Sequence, residues 1–127
     1  MSIAYQIDHD KRRIVGLVTG ILDDRDLFDY QKKVSAFPDY DEIFDGTAAV
    51  SLREVNLANL KKLADTAAAA DVPDQHAKLA IVAPGDLYYG LGRMYESFRE
   101  CIPRATKETN VFHAREEAEQ WLDAKKA

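Results

Sequence analysis

The sequence predicts an α/β domain, a mixed and mostly parallel sheet with helices packed against it, in the order β-β-α-β-α-β-α-β-α. Three observations predict it. Alternating apolar residues at Ile3, Tyr5 and Ile7 are followed, after a polar turn, by the apolar run Ile14 to Val18. Capped helical stripes then alternate with short apolar runs to the end of the chain. Of the 127 residues, 46% are hydrophobic and 31% charged, with no repeat or linker, which fits one globular domain over residues 1–127.

Each element has its own signal. Ile3 to Ile7 reads as a half-buried strand, Asp8 to Arg12 as a turn, and Ile14 to Val18 as a hairpin partner buried on both faces. Gly20 punctuates. Asp23 and Asp24 can cap a helix whose inner face is Leu27, Tyr30, Val34 and Phe37, stopped by Pro38. Asp39 to Asp45 reads as an acidic loop ending in an Asp45-Gly46 turn, and Thr47 to Leu52 as a short strand. Asn56 can cap a helix with Leu57, Leu60, Ala64 and Ala67 inward, leaving through Asp71 to Asp74. Lys78 to Ala83 is a buried strand. Pro84-Gly85-Asp86 turns into a helix capped by Asp86, with Leu87, Leu91, Met94 and Phe98 as its core stripe and Ile102-Pro103 as its end. Thr109 to Phe112 is the last strand, and Arg115 to Lys125 the last helix, with Ala118, Trp121 and Leu122 inward.

Composition narrows the function. Seventeen Lys and Arg against 22 Asp and Glu give a net charge of −5. The short basic run Lys11-Arg12-Arg13 falls in the predicted hairpin turn, so a nucleic-acid role lacks its phosphate-neutralising charge. The single Cys101 cannot close an internal disulfide, which fits a reducing compartment. No apolar stretch is long enough to span a bilayer, and Met1 to Gln6 has no signal-peptide pattern. The expectation is a cytoplasmic protein without a transmembrane segment.

Three stretches carry a family resemblance: Gly16-Leu17-Val18-Thr19-Gly20 leading into the Asp23 to Asp26 cap; Ala80 through Glu96, with Pro84-Gly85-Asp86-Leu87-Tyr88-Tyr89-Gly90-Leu91-Gly92-Arg93 at its centre; and Val111-Phe112 followed by Glu117 to Leu122. With the element order, they resemble the STAS superfamily, the fold of bacterial anti-sigma-factor antagonists such as SpoIIAA. The likeness is nearest to a SpoIIAA-like bacterial branch also compared with CRAL-TRIO lipid-transfer domains. The resemblance implies a regulatory, protein-binding role. One departure bears on that role. Anti-sigma antagonists carry a phosphorylatable Ser at the start of the helix after the central strand, where this chain has Val55-Asn56-Leu57-Ala58-Asn59-Leu60. Ser51 lies earlier, in the strand. Without the acceptor hydroxyl, a switch built on about −1.5 to −2 added charges has nothing to act on.

Catalytic patterns fail individually. Gly85 and Gly90 have P-loop spacing, but Leu91-Gly92 stands where Lys and Ser/Thr belong, and the dinucleotide fingerprint lacks its third glycine. His9, His76 and His113 are unpaired in sequence, no Ser sits in a nucleophile elbow, and Cys101 is near a helix end without a dipole to lower its pKa. Asp39, Asp41, Glu42 and Asp45 could gather a cation, but their spacing is not that of an EF-hand and reads as a solvated loop. No cofactor or metal is expected, and a non-catalytic module is the expectation.

Two readings remain. In open α/β sheets, partners use the crevice beyond the carboxyl ends of the parallel strands. The first reading is therefore a protein-interaction module, with a protein partner or a second copy of the chain held by Asn56, Asn59, Asp86, Tyr88, Tyr89, Gly92, Arg93 and Tyr95. In it, Tyr88 and Tyr95 share a helix flank with Gly92 between them, or else Gly90 and Gly92 only let the helix approach the sheet. The alternative is a binder or carrier of a small apolar, lipid-like ligand near Tyr30, Phe37, Tyr88, Leu91, Met94 and Phe98. Those residues equally suit a filled core.

Overall fold

The computed structural model describes residues 2–72, 77–103 and 105–124. The elements are β1 (Ile3–Asp8), β2 (Arg13–Asp23), α1 (Asp24–Val34), β3 (Asp41–Glu54), α2 (Leu57–Ala70), β4 (Lys78–Val82), α3 (Asp86–Glu100), β5 (Glu108–Phe112) and α4 (Arg115–Ala124). They form one five-stranded sheet in the order β1-β2-β3-β4-β5. The β1–β2 hairpin is antiparallel, from Ile3 opposite Val18 to Asp8 opposite Arg13, and every later pairing is parallel.

This order fixes the layers. Three successive crossovers step the same way across the sheet, so one hand of connection places α1, α2 and α3 on one face. Leu27, Tyr30 and Val34 of α1, Leu60, Leu63 and Ala64 of α2, and Tyr95 of α3 pack there on Ile14, Val18 and Leu79. On the other face, α4 lays Ala118 and Leu122 on Ile43, Ala80 and Val82. Alternation along the strands feeds both cores: Glu42 and Phe44 face the three helices, and Ile43 faces α4.

The caps follow the local chemistry. The Asp23 side chain accepts from the Asp26 backbone N–H at 2.8 Å and starts α1. Asn56 accepts from the N–H groups of Ala58 and Asn59 and starts α2. At α3 the N-cap is Gly85, and Asp86 is the first helical residue, with no side-chain capping bond.

Several expectations are corrected. Residues 39–45 are not a solvated loop: β3 starts at Asp41, and Asp41, Glu42 and Asp45 are buried. Their charges are compensated from elsewhere in the chain, which local polarity cannot reveal. The predicted strand at Thr47 to Leu52 is the second half of this one 14-residue strand. Gly20 does not end β2; with φ at +70° it takes up a register shift against β3, and the strand runs on to Asp23. β2 is not buried on both faces, because α4 packs over β3 to β5 and leaves Leu17 exposed. Arg13 is no solvated turn residue; it is buried, and its Nη2 donates to Asp123 at 2.8 Å. Helix α1 ends at Val34, before Phe37. Leu57, 47% exposed, is outside the α2 core stripe, and Leu63 is inside it. The end of the predicted α2 exit, Pro73 and Asp74, and the Lys125 end of α4 lie outside the described residues.

Candidate functional site

Helix α3 departs most from its sequence reading. Met94, assigned to its core stripe, is 38% exposed, while Gly92, Tyr95, Glu96 and Arg99 are buried. Gly92 marks the closest approach: a Cβ there would meet Val111 Cγ1 at 3.0 Å and Ile81 Cγ2 at 3.3 Å, whereas one on Gly90 would meet nothing within 4 Å. Gly92 is thus a packing residue, and the helix rests directly on β4 and β5. The side chains flanking it are held over the sheet without meeting it everywhere.

The gap that remains is an apolar cavity of about 100 Å³ between the sheet and the three helices. Its wall includes Val18, Leu27, Phe44, Leu63, Ile81 and Leu91, from β2, α1, β3, α2, β4 and α3 in turn. Toward the carboxyl ends of the strands its lining is half-buried, at Ala49, Val55 and Tyr88. Its other end, near the start of β3, is buried and polar, with Glu42, Tyr30 and Tyr95. Such a site, mostly apolar with a few convergent polar groups, is the usual form of a small-molecule pocket.

The polar end is a bonded network. Tyr30 donates its hydroxyl to Glu42 Oε2 at 2.8 Å, and Lys107 Nζ donates to Glu42 Oε1 at 3.1 Å. Beside it, Arg99 Nη2 donates to Asp71 Oδ2 at 2.7 Å, and the same oxygen accepts the backbone N–H groups of Thr106 and Lys107. Arg99 Nε, also buried, has no hydrogen-bond partner. Lys107, Arg99 and Asp71 border a second, adjoining pocket of about 20 Å³, which shares Glu42 and Tyr95 with the first. Tyr30 lies flat on β2 at Gly16, where a Cβ would come within 2.7 Å of the phenol oxygen. Any side chain at Gly16 would therefore push the hydroxyl off Glu42. Burial raises the Tyr30 phenol well above its ordinary pKa, helped by the Glu42 charge. Burial likewise pushes Tyr95 up to about 12, against the lowering effect of the Arg99 guanidinium beside it. Both phenols stay protonated through the physiological range.

A scan against protein-family models gives no match, and a comparison with curated proteins gives none. Among solved structures, the fold is similar to that of a protein from Shewanella loihica PV-4 described as an uncharacterized member of the DUF3478 family with a SpoIIAA-like fold. The TM-score is 0.58 at 17% sequence identity, and the match covers 94% of this chain and 91% of that one. The chain has a SpoIIAA-like fold. At that identity the likeness reaches the architecture and stops there.

Within the SpoIIAA-like frame, the residues singled out from sequence separate into three groups. Tyr88, Gly92 and Tyr95 do share a flank of α3, but it faces the cavity; Tyr95 is only 7% exposed. Asn56 and Asn59 have structural bonds: Asn56 caps α2, and Asn59 Nδ2 donates to Asp24 Oδ2 at 2.8 Å. Asp86 and Arg93 are exposed, with Arg93 paired to Glu96 at 3.1 Å, and half-buried Tyr89 stacks on His113 at 4.1 Å between ring centroids. Of the apolar ligand set, Tyr30, Tyr88 and Leu91 line the cavity, while Phe37, Met94 and Phe98 do not. The sequence reads Glu42 only as one of four carboxylates of a solvated loop, and does not single out Lys107 or Arg99. The signal available is slight: Glu42 is followed by Ile43 and Phe44, an apolar pair inside an acidic run. His9 hydrogen-bonds Tyr40 through Nδ1, and His76 lies outside the described residues. Among the described residues, no group of three or more His, Cys, Asp or Glu could hold a metal ion, and no helix is long and apolar enough to cross a membrane.

Proposed function

We propose that this chain is a non-catalytic STAS-type module that holds one small apolar molecule in the cavity between its sheet and helices α1 to α3. The observation carrying this reading is the cavity itself, lined almost wholly by hydrocarbon in a domain of only 127 residues. A chain this short has little core volume to leave unfilled, and close-packed interiors rarely leave voids larger than a water. The size supports a small guest. Drug-sized ligands need ~300 Å³ or more, while a cavity of ~150 Å³ already takes up benzene. At about 100 Å³ the cavity is smaller than that, so a guest the size of one aromatic ring would extend through the half-buried end at Ala49, Val55 and Tyr88; a long-chain lipid does not fit. Of the eight residues of the protein-contact reading, Gly92 and Tyr95 are buried, while Asn56, Asp86 and Arg93 are exposed and Asn59, Tyr88 and Tyr89 half-buried; the cavity favours the ligand reading.

The test compares intact masses of freshly purified protein under native and denaturing conditions, together with binding of toluene. Added mass that disappears on denaturation, or saturable toluene binding, is expected in the wild-type chain. Replacing Ala49→Phe, which projects a ring into the half-buried end, should abolish both while the fold is retained by circular dichroism. No added mass and no toluene binding in the wild type would overturn the reading.

A further inference from the structure

The buried end of the cavity constrains what its guest can carry. Glu42, Tyr30 and Tyr95 face the cavity, whereas Lys107 and Arg99 border only the smaller pocket on the far side of Glu42 and Tyr95. The cations therefore reach the network from behind, and a guest meets an acceptor end. The Tyr30 proton is committed to Glu42 Oε2 and the Lys107 ammonium to Oε1. Each carboxylate oxygen has two acceptor positions, so both retain capacity for another donor.

Three kinds of polar group can be weighed against this end. A carboxylate on the guest would lie against the Glu42 charge with the single neutral hydroxyl of Tyr95 to offer it a proton, a poor exchange for its lost hydration. An ammonium would bring a second cation to a carboxylate that Lys107 already neutralises. A neutral hydroxyl or N–H loses less hydration on entering and gains a charge-assisted bond to Glu42.

We propose that the cavity selects a neutral, ring-sized apolar molecule bearing one hydrogen-bond donor, as in a phenol or a short alcohol, with the donor held by the Glu42 carboxylate. The proposal rests on the cavity being a ligand site. It adds the chemical class of the ligand and makes Glu42 the specificity-determining residue.

The experiment measures dissociation constants of four probes of one size, benzyl alcohol, toluene, benzoate and benzylammonium, on the full chain at neutral pH. Benzyl alcohol should bind about tenfold tighter than toluene, the ratio expected of one hydrogen bond to a charged group. Benzoate and benzylammonium should bind more weakly than toluene. In Glu42→Gln the advantage of the alcohol over toluene should fall to about threefold or less, and the penalty on benzoate should shrink. Tyr30→Phe, which leaves the carboxylate in place, should keep the alcohol tightest. Benzoate or benzylammonium as the tightest ligand, or toluene equal to the alcohol, overturns the donor assignment while leaving the cavity a binding site. Binding of none of the four overturns the cavity reading itself. If Glu42→Gln does not fold, the wild-type ranking and Tyr30→Phe still decide the question.

Discussion

At the scale of single residues, two glycines in one helix have opposite reasons for being there. Gly90 points into open space and Gly92 onto Val111 and Ile81. An exposed glycine in a helix interior costs roughly 0.5–1 kcal/mol against alanine, chiefly through the entropy of the unfolded chain. Gly90→Ala should therefore raise stability by about that much. Gly92→Ala gains the same entropy, but its methyl must displace branched side chains on two strands, so a net loss of about 1–2 kcal/mol is expected. Urea unfolding of the two variants checks both signs at once. From sequence, these glycines were indistinguishable, since each sits inside the same helical pattern and only the neighbouring strands differ.

At the scale of elements, Asp71 joins what the chain separates. It ends α2, takes a guanidinium bond from Arg99 in the last turn of α3, and accepts the Thr106 and Lys107 N–H groups leading into β5. Asp71 and Arg99 are nearly buried, with side chains 6% and 3% exposed. Removing one member of such a pair leaves the other charged and unpaired in the interior, at a cost of about 3–5 kcal/mol. Asp71→Ala should lose that much in denaturant unfolding, whereas Asp65→Ala, on the exposed face of the same helix, should change stability by under about 0.5 kcal/mol. The sequence placed the end of α2 near Asp71 but could assign it no partner. Arg99 is 28 residues away, and helical periodicity treats both charges as solvent-facing.

At the scale of the whole molecule, the two buried phenols tie folding to alkaline pH. The folded-state pKa of each is raised above 10.0, to about 12 for Tyr95. The unfolded chain therefore releases these protons first. Stability is fully present below about pH 10 and declines as pH rises from there toward 12 and beyond. Ultraviolet titration should show two late phenolate transitions coinciding with unfolding by circular dichroism, one lost in Tyr30→Phe and one in Tyr95→Phe. Late transitions unaffected by either substitution would contradict the placement of these side chains.

The sequence by itself determined the element order, the hairpin, the capping of α1 and α2 and a mostly parallel sheet with helices packed against it. These rest on local rules: alternation, helical spacing, and side-chain oxygens beside unpaired backbone N–H groups. The tertiary structure alone decided that β3 begins among acidic residues, that α3 buries Arg99 and Glu96 in place of Met94, and that a cavity opens beside Glu42. The physical reason is common to all three. Local patterning does not show which charges find partners in the interior: Lys107 reaches Glu42 across 65 residues and Asp71 reaches Arg99 across 28. A void exists only where several elements fail to meet, and no single stretch of chain contains either fact.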